Sequence, residues 1–173
     1  MASARLRLVP LQPGHAELLL GPLGAPELYA FIPGSPPADL DALRARFNRV
    51  CARRSPDGDT VWMNWVAFDR AGQAVGLFEA TARAGLVHVA YFVFVAHQRQ
   101  GFAREALQTI MGRLAACAAV QGICADVDTR NTASVRLLRG LGFPPPALVP
   151  HADEFKGAVS DEYVFRLTLA RAA

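Results

Sequence analysis

Hydrophobic residues along this 173-residue chain change their spacing several times, and each change predicts an element. Residues 5–9 alternate apolar and polar positions and read as a short first strand, which Pro10 and Pro13 stop. Over residues 15–31 the apolar positions are cut by Gly21, Pro22, Gly24 and Pro26, so short helical pieces are expected instead of one helix. Ser35-Pro36-Pro37 has the character of a helix start. Leu40, Leu43, Phe47 and Val50 follow at three- and four-residue spacing, and that helix is expected to end near Arg54. Three strand-like runs come next, at 61–68, 74–81 and 86–95. Short turns containing Gly72 and Gly85 join them, which predicts an antiparallel meander.

The period then changes. Leu107, Ile110, Met111, Leu114 and Ala118 line one face of a helix expected over 101–120. Residues 123–127 read as a short strand, 133–141 as a helix closed by Gly142, and 162–169 as a final strand. A meander followed by helix, strand, helix and strand is an α+β order with one strand–helix–strand crossover at its centre. With no repeat, linker or low-complexity stretch, residues 1–173 are expected to form a single domain.

Composition narrows the function. Hydrophobic residues make up 52% and charged residues 19%, a balance that suits a packed core and excludes a disordered chain. Of 18 basic residues all but Lys156 are arginine, scattered and without an aromatic-rich basic stripe, so nucleic acid is not an expected partner. Cys51, Cys117 and Cys124 show no metal-ligand spacing and read as buried, reduced thiols; no metal is expected. No apolar run approaches the roughly 18 residues of a membrane span. Arg5 and Arg7 are followed by no clean secretory signal, so a soluble, cytoplasmic protein is expected.

Two segments carry candidate chemistry. Gln98-Arg99-Gln100-Gly101-Phe102-Ala103 lies between an apolar strand and an amphipathic helix. A helix N-terminus offers unpaired N–H groups and partial positive charge, which suits a pyrophosphate; Gly101 allows close backbone approach, and Arg99 and Arg104 could add charge. An ordinary strand-to-helix turn would look the same. Asp128-Thr129-Arg130-Asn131-Thr132-Ala133-Ser134 also follows a strand and opens a helix. There Asn131 or Thr132 could be a simple N-cap and Ser134 a bystander. Two such helix starts after neighbouring strands can, however, point at one ligand.

Taken together, Q-x-x-G-x-A at 98–103 and N-x-x-S at 131–134, closed by Leu141-Gly142-Phe143, resemble the acetyl-CoA motifs of the GNAT superfamily of N-acetyltransferases. The run from Tyr91 to Leu107, with Ala103-Arg104-Glu105-Ala106, is similar to the branch containing the ribosomal-protein N-terminal (RimJ/RimL-like) acetyltransferases. So is the ending Asp153-Glu154-Phe155-Lys156-Gly157 with Ser160-Asp161-Glu162-Tyr163. The resemblance implies a mixed, mostly antiparallel sheet of about six to seven strands flanked by helices and splayed at an acetyl-CoA cleft. It also implies acetyl-CoA as co-substrate and, as acceptor, a small-molecule amine or a protein N-terminus. Val93, Phe94 and Val95 would offer backbone groups to the pantetheine arm, and residues 98–104 would hold the pyrophosphate.

Transfer of an acetyl group to an amine needs a deprotonated nucleophile, a polarised thioester carbonyl and a proton for the departing thiolate. The resemblance assigns the polarising donor to the Phe94–Val95 edge. Many relatives carry a tyrosine proton donor where this chain has Leu138; Ser134, one turn earlier, is the implied substitute, with Asn131 positioning the pantetheine or a water. The glutamate that many relatives use as base falls at Val87 here. Glu79, expected to be half-buried with raised proton affinity, and Glu154 are the substitutes, with a water relay as a third route. His88 lies on the face opposite Val87 and reads as structural. Trp62, Trp65, Tyr91, Phe92 and Phe31 could wall an acceptor pocket, although most would serve the core. Exposed edge strands would permit a homodimer. The intact Asn131 and Ser134 favour an enzyme, while Leu138 and Val87 leave open an acyl-CoA-binding regulatory module.

Overall fold

The computed structural model describes residues 1–169. One seven-stranded sheet forms its centre, from β1 (Arg7–Pro10), β2 (Thr60–Phe68), β3 (Ala74–Arg83), β4 (Leu86–Val93), β5 (Gly122–Asp128), β6 (Ala147–Phe155) and β7 (Ala158–Thr168). Their order across the sheet is β1-β2-β3-β4-β5-β7-β6, antiparallel throughout except between β4 and β5. The parallel pair follows from the crossover helix α3 (Phe102–Ala115), which returns the chain to the bottom of the sheet before β5 begins.

Alternation along the strands builds two cores. On one face Val87 and Val89 of β4, Ile123, Ala125 and Val127 of β5 and Phe165 of β7 pack under α3 and α4 (Thr132–Gly140). On the other face Val66, Leu77, Phe92 and Phe94 pack under α1 (Ala16–Leu23) and α2 (Leu40–Cys51). Leu43 and Phe47, one turn apart on α2, are 1% and 0% exposed. Each such side chain contributes about 1.5–3 kcal/mol by leaving water, which fixes α2 against the sheet.

Several boundaries differ from the sequence expectation. α2 starts at Leu40, not at the Ser35-Pro36-Pro37 segment, because the Asp39 carboxylate caps it, accepting from the Ala42 N–H at 2.8 Å. α3 ends at Ala115, short of the expected residue 120; Cys117 N–H donates to Leu114 O and Val120 N–H to Cys117 O in the turns that lead into β5. Cys117 is therefore exposed, and only Cys124 is the buried thiol expected of it; Cys51, half-buried, donates to Leu11 O at 3.2 Å. β6 is a strand that the pattern did not predict. No helix among the described residues is long and apolar enough to cross a membrane.

The sheet opens at one place. β4 and β5 pair only over Leu86↔Gly122, Val87↔Ile123 and His88↔Cys124, after which the two strands run on without a shared register. Both continue, β4 to Val93 and β5 to Asp128, so a wedge-shaped gap separates their upper halves.

Candidate functional site

The gap presents unspent backbone. The Phe94 N–H donates to Val75 O at 3.0 Å, making those two residues a hydrogen-bonded pair of the β3–β4 ladder. In an antiparallel ladder the next residue points its N–H and C=O the other way. Val93 and Tyr91 therefore aim theirs into the gap, while Phe94 is committed to the sheet. The Gln98 side chain confirms the direction, donating to Val93 O at 3.1 Å.

Beyond Val93 the chain makes a 3-10 turn at Val95–His97 and a tight loop in which Arg99 (φ 60°) and Gly101 (φ 82°) both occupy left-handed backbone. Gly101 caps α3, whose first internal bond is Glu105 N–H to Gly101 O at 3.1 Å. The N–H groups of Phe102, Ala103 and Arg104 precede it and have no intrahelical acceptor, so this helix start can receive an anion. Arg5 braces the loop from the N-terminal segment. Its guanidinium donates to Gln100 O at 3.0 Å, lies 4.9 Å from the Phe102 ring centroid and pairs with Glu105 at 2.7 Å. Burial alone would raise the proton affinity of Glu105. Hydrogen bonds from Ser3, the Arg5 amide and the Arg5 guanidinium together hold its carboxyl below the usual glutamate range. Arg104 turns away from the loop mouth and donates to Gly140 O at 2.8 Å, tying α3 to the end of α4. Arg99 is exposed.

Across the gap, the second loop is organised by Asp128, which sequence reasoning passed over. Its side chain is 1% exposed, with Arg130 at 2.5 Å and the Ser160 hydroxyl at 2.8 Å. The Arg130 hydrogen bonds, helped by Ser160 and the Arg130 amide, hold the Asp128 carboxyl down at about 2 against the opposing effect of burial. Asn131 N–H donates to Asp128 O at 2.9 Å, and Asn131 Oδ1 accepts from Ser134 N at 3.1 Å. Asn131 is thus the N-cap of α4, and Ser134 sits half-buried in its first turn. Leu138, one turn further on, is core at 0% exposed, as is Val87.

The opposite face of the gap holds the carboxylates. Glu79 lies beside Ala90 of β4, but it is ion-paired to Arg46 of α2 at 2.8 Å instead of standing alone among apolar side chains. Glu154 is exposed on β6, an edge strand beyond β7, and alternation from Asp153↔Ser160 turns it away from the Asp128 side. Glu162 of β7, cross-strand from Asp128, is a further carboxylate that the sequence did not single out. It is half-buried, and among the described residues no hydrogen bond or ion pair holds its side chain. Burial pushes its carboxyl up, and Asp126, Asp153 and Asp128 push it further. His88 faces Asp126 at 3.4 Å, both half-exposed. Lys156, at the tip of the β6–β7 hairpin, donates to Tyr29 O in the 3-10 turn Pro26–Tyr29, strapping the hairpin across this side.

The expected aromatic wall divides. Phe92 packs against Tyr29 with ring centroids 5.5 Å apart, and exposed Phe31 follows the same turn. Trp65 instead lies on the α3 face with Tyr91, and Trp62 faces a separate recess bounded by Pro10, Val50 and Cys51. An apolar cavity of about 490 Å³, lined by Trp65, Val87, Ile110 and Leu114, sits under the far end of α3; its lining carries no acid–base pair near the loops. Among the described residues no group of three or more His, Cys, Asp or Glu side chains could hold a metal ion.

Residues 5–144, spanning the gap and both loops, match the acetyltransferase (GNAT) domain family. The chain belongs to the GNAT acetyltransferase family. No curated protein matches the sequence. Among solved structures this GNAT chain is similar to the ribosomal L7/L12 alpha-N-protein acetyltransferase RimL in complex with coenzyme A: TM-score 0.86, 16% identity, 98% of this chain and 97% of that one covered. It is similar also to spermidine N-acetyltransferase from Vibrio cholerae in complex with CoA and spermine: TM-score 0.81, 17% identity, 95% of each chain covered. A probable GNAT acetyltransferase from Chromobacterium violaceum gives TM-score 0.78 and 22% identity over 96% of this chain and 84% of that one. At these identities the likeness concerns the fold. The expected GNAT sheet, mostly antiparallel with one parallel pair, is the fold observed.

Proposed function

We propose that the chain is an N-acetyltransferase that takes acetyl from acetyl-CoA and passes it to a primary amine, with both substrates bound at once. The observation that carries this reading is the β4–β5 gap, into which Val93 turns an N–H with no strand partner among the described residues and a C=O held only by the Gln98 side chain, opening directly onto the Gly101 helix start. A pantetheine arm is an amide chain of the width of a strand, and a pyrophosphate is the anion that such a helix start receives. The residues fit that ligand: Val93 and Tyr91 backbone for the arm, and the amides following Gly101, with exposed Arg99, for the phosphates.

Acetyl-CoA supplies the activated acyl group. Of the Phe94–Val95 edge, only the Val95 N–H remains available to polarise the thioester carbonyl, since Phe94 donates to Val75. Ser134, held in the first turn of α4 by the Asn131 cap, is the hydroxyl assigned to the leaving sulfur. Asn131 spends its oxygen on that cap and keeps its amide N–H₂ for the arm or a water.

With the donor lying along α3 and α4, the amine reaches the acyl carbon from the other face, past Phe92 and Tyr29. A base there must be ionised yet not already paired. Glu162 meets that condition better than Glu79, which Arg46 occupies, or Glu154, which stands on the outer strand. The acceptor is a small amine or a protein N-terminus.

The direct test is release of free thiol when purified protein meets acetyl-CoA and a panel of N-terminal peptides, polyamines and other amines. Turnover on a panel member is expected. Tight acetyl-CoA binding without turnover on any amine would turn the assignment to an acyl-CoA-binding module, the reading that Leu138 and Val87 leave open.

A further inference from the structure

The Tyr91 hydroxyl is the one buried side-chain polar atom among the described residues that lacks a hydrogen-bond partner. Leaving a buried hydroxyl unsatisfied costs about 1–3 kcal/mol, and phenylalanine would pack in its place without that cost. The ring is held firmly. It lies on the α3/α4 face of β4 and stacks on Phe78 across the ladder, with centroids 6.3 Å apart at 21°. Its hydroxyl faces Ser134 on the other side of the gap, close enough to interact but without the geometry of a formed hydrogen bond. Two hydroxyls, one from β4 and one from α4, thus meet where the donor arm would pass, and neither is satisfied by the other.

A serine alone is a weak source of a proton for a thiolate. A thiol has an ordinary pKa of about 8.5 and a phenol about 10, whereas an alcohol is far less acidic than either. The helix position that could carry a phenol is Leu138, wholly buried. Tyr91 brings a phenol to the same place from β4.

We propose, resting on the acetyltransferase reading, that Tyr91 is the positioning residue behind Ser134 and the source of the proton that Ser134 delivers. As the amine nitrogen bonds to the acyl carbon, the C–S electron pair leaves on sulfur. Sulfur takes the Ser134 proton, and Ser134 takes the proton of Tyr91. The amine gives one proton to the carboxylate base on the other face; as products leave, the carboxylic acid releases that proton to solvent and solvent returns one to the tyrosinate, so protons balance. Burial raises the Tyr91 phenol above its ordinary value of 10.0, and the Ser134 hydroxyl pulls it partway back, so the phenol keeps its proton until the thiolate forms.

Tyr91→Phe keeps the ring stack and removes only the hydroxyl. It is expected to lower kcat about 100-fold at unchanged KM for acetyl-CoA. Combined with Ser134→Ala it should cost no more than either change alone, because the two act in series. Two readouts need no turnover. In the free protein, Ser134→Ala should raise the Tyr91 phenol titration further. With CoA bound, the thiol should titrate about one pH unit higher in Tyr91→Phe than in the wild type, a tenfold change in thiolate fraction. An unshifted bound-thiol titration with wild-type kcat, or multiplicative losses in the double variant, overturns the inference. Wild-type protein inactive on every amine would instead sink the acetyltransferase reading, and the two titrations would still decide whether Tyr91 and Ser134 act on the sulfur.

Discussion

Gly101→Ala separates conformational strain from ligand binding at the loop proposed to receive the donor's pyrophosphate. Gly101 has φ 82°, where an L-residue pays about 1–2 kcal/mol. At about 2–4 °C of Tm per kcal/mol for a domain of this size, a fall of roughly 2–8 °C is expected. A β-carbon on Gly101 meets only Arg5 Nη2, at 3.3 Å, and nothing else within 4 Å, so it crowds no core and projects where the anion would approach. Losing one charge-assisted hydrogen bond of about 1.5–3 kcal/mol lowers affinity roughly 10- to 150-fold. Gly72→Ala supplies the control. Its φ is 81°, a β-carbon there meets nothing within 4 Å, and it lies in the turn between β2 and β3. Calorimetric titration with acetyl-CoA and thermal melts of both variants make the assay. Both should melt lower, and Gly101→Ala alone should lose affinity. If the two bind acetyl-CoA alike, the pyrophosphate does not sit on this loop.

Ser134→Ala should lower kcat roughly 100-fold while acetyl-CoA affinity stays within about twofold, because in the proposed mechanism the hydroxyl acts on the sulfur only as the bond breaks; equal kcat removes it from the chemistry. Glu162→Gln should abolish the acidic limb of the pH–rate profile. That limb lies above the ordinary glutamate value because burial and three neighbouring aspartates raise the Glu162 carboxyl, and a limb lost in Glu79→Gln instead would move the base to Glu79. Asp128→Asn tests the second loop by stability. The folded carboxyl is depressed from 3.8 to about 2, so its contribution of about 2 kcal/mol is present above the unfolded value and is lost as pH falls from about 4 toward 2. Urea midpoints should therefore differ most near neutrality and converge at low pH; a difference independent of pH would assign the residue to packing.

Much of the fold is legible in the sequence because the informative elements keep a clear apolar pattern. β4 alternates, β2 and β3 are strongly apolar runs buried on both faces between short glycine turns, and the apolar spacing of α3 and α4 matches what they cover. β6 escaped because Pro144, Pro145, Pro146 and Pro150 break the pattern and most of its residues are exposed; an edge strand tolerates both features. The expected end of α3 at residue 120 failed because alanine-rich spacing continues past the point where the chain must turn for β5.

The two loops that flank the gap could be read locally, since a glycine in left-handed backbone and an Asn cap are properties of a few adjacent residues. The acid–base groups could not. Glu162 is set apart from other strand carboxylates by its burial in the fold and by Asp126, Asp153 and Asp128, which reach it from other strands. Glu79 resembles a base in sequence but meets Arg46 from α2. Tyr91 reads as core aromatic until Ser134 comes to face it across the gap.

Hydrogen exchange of the backbone amides with and without saturating acetyl-CoA tests donor placement most directly. Slowed exchange is expected at Val93, at the amides following Gly101 and at the Asn131 turn, with β1 and β2 unchanged. Protection confined to the Trp65 and Leu114 cavity at the far end of α3, with the Gly101 amides unaffected, would contradict it.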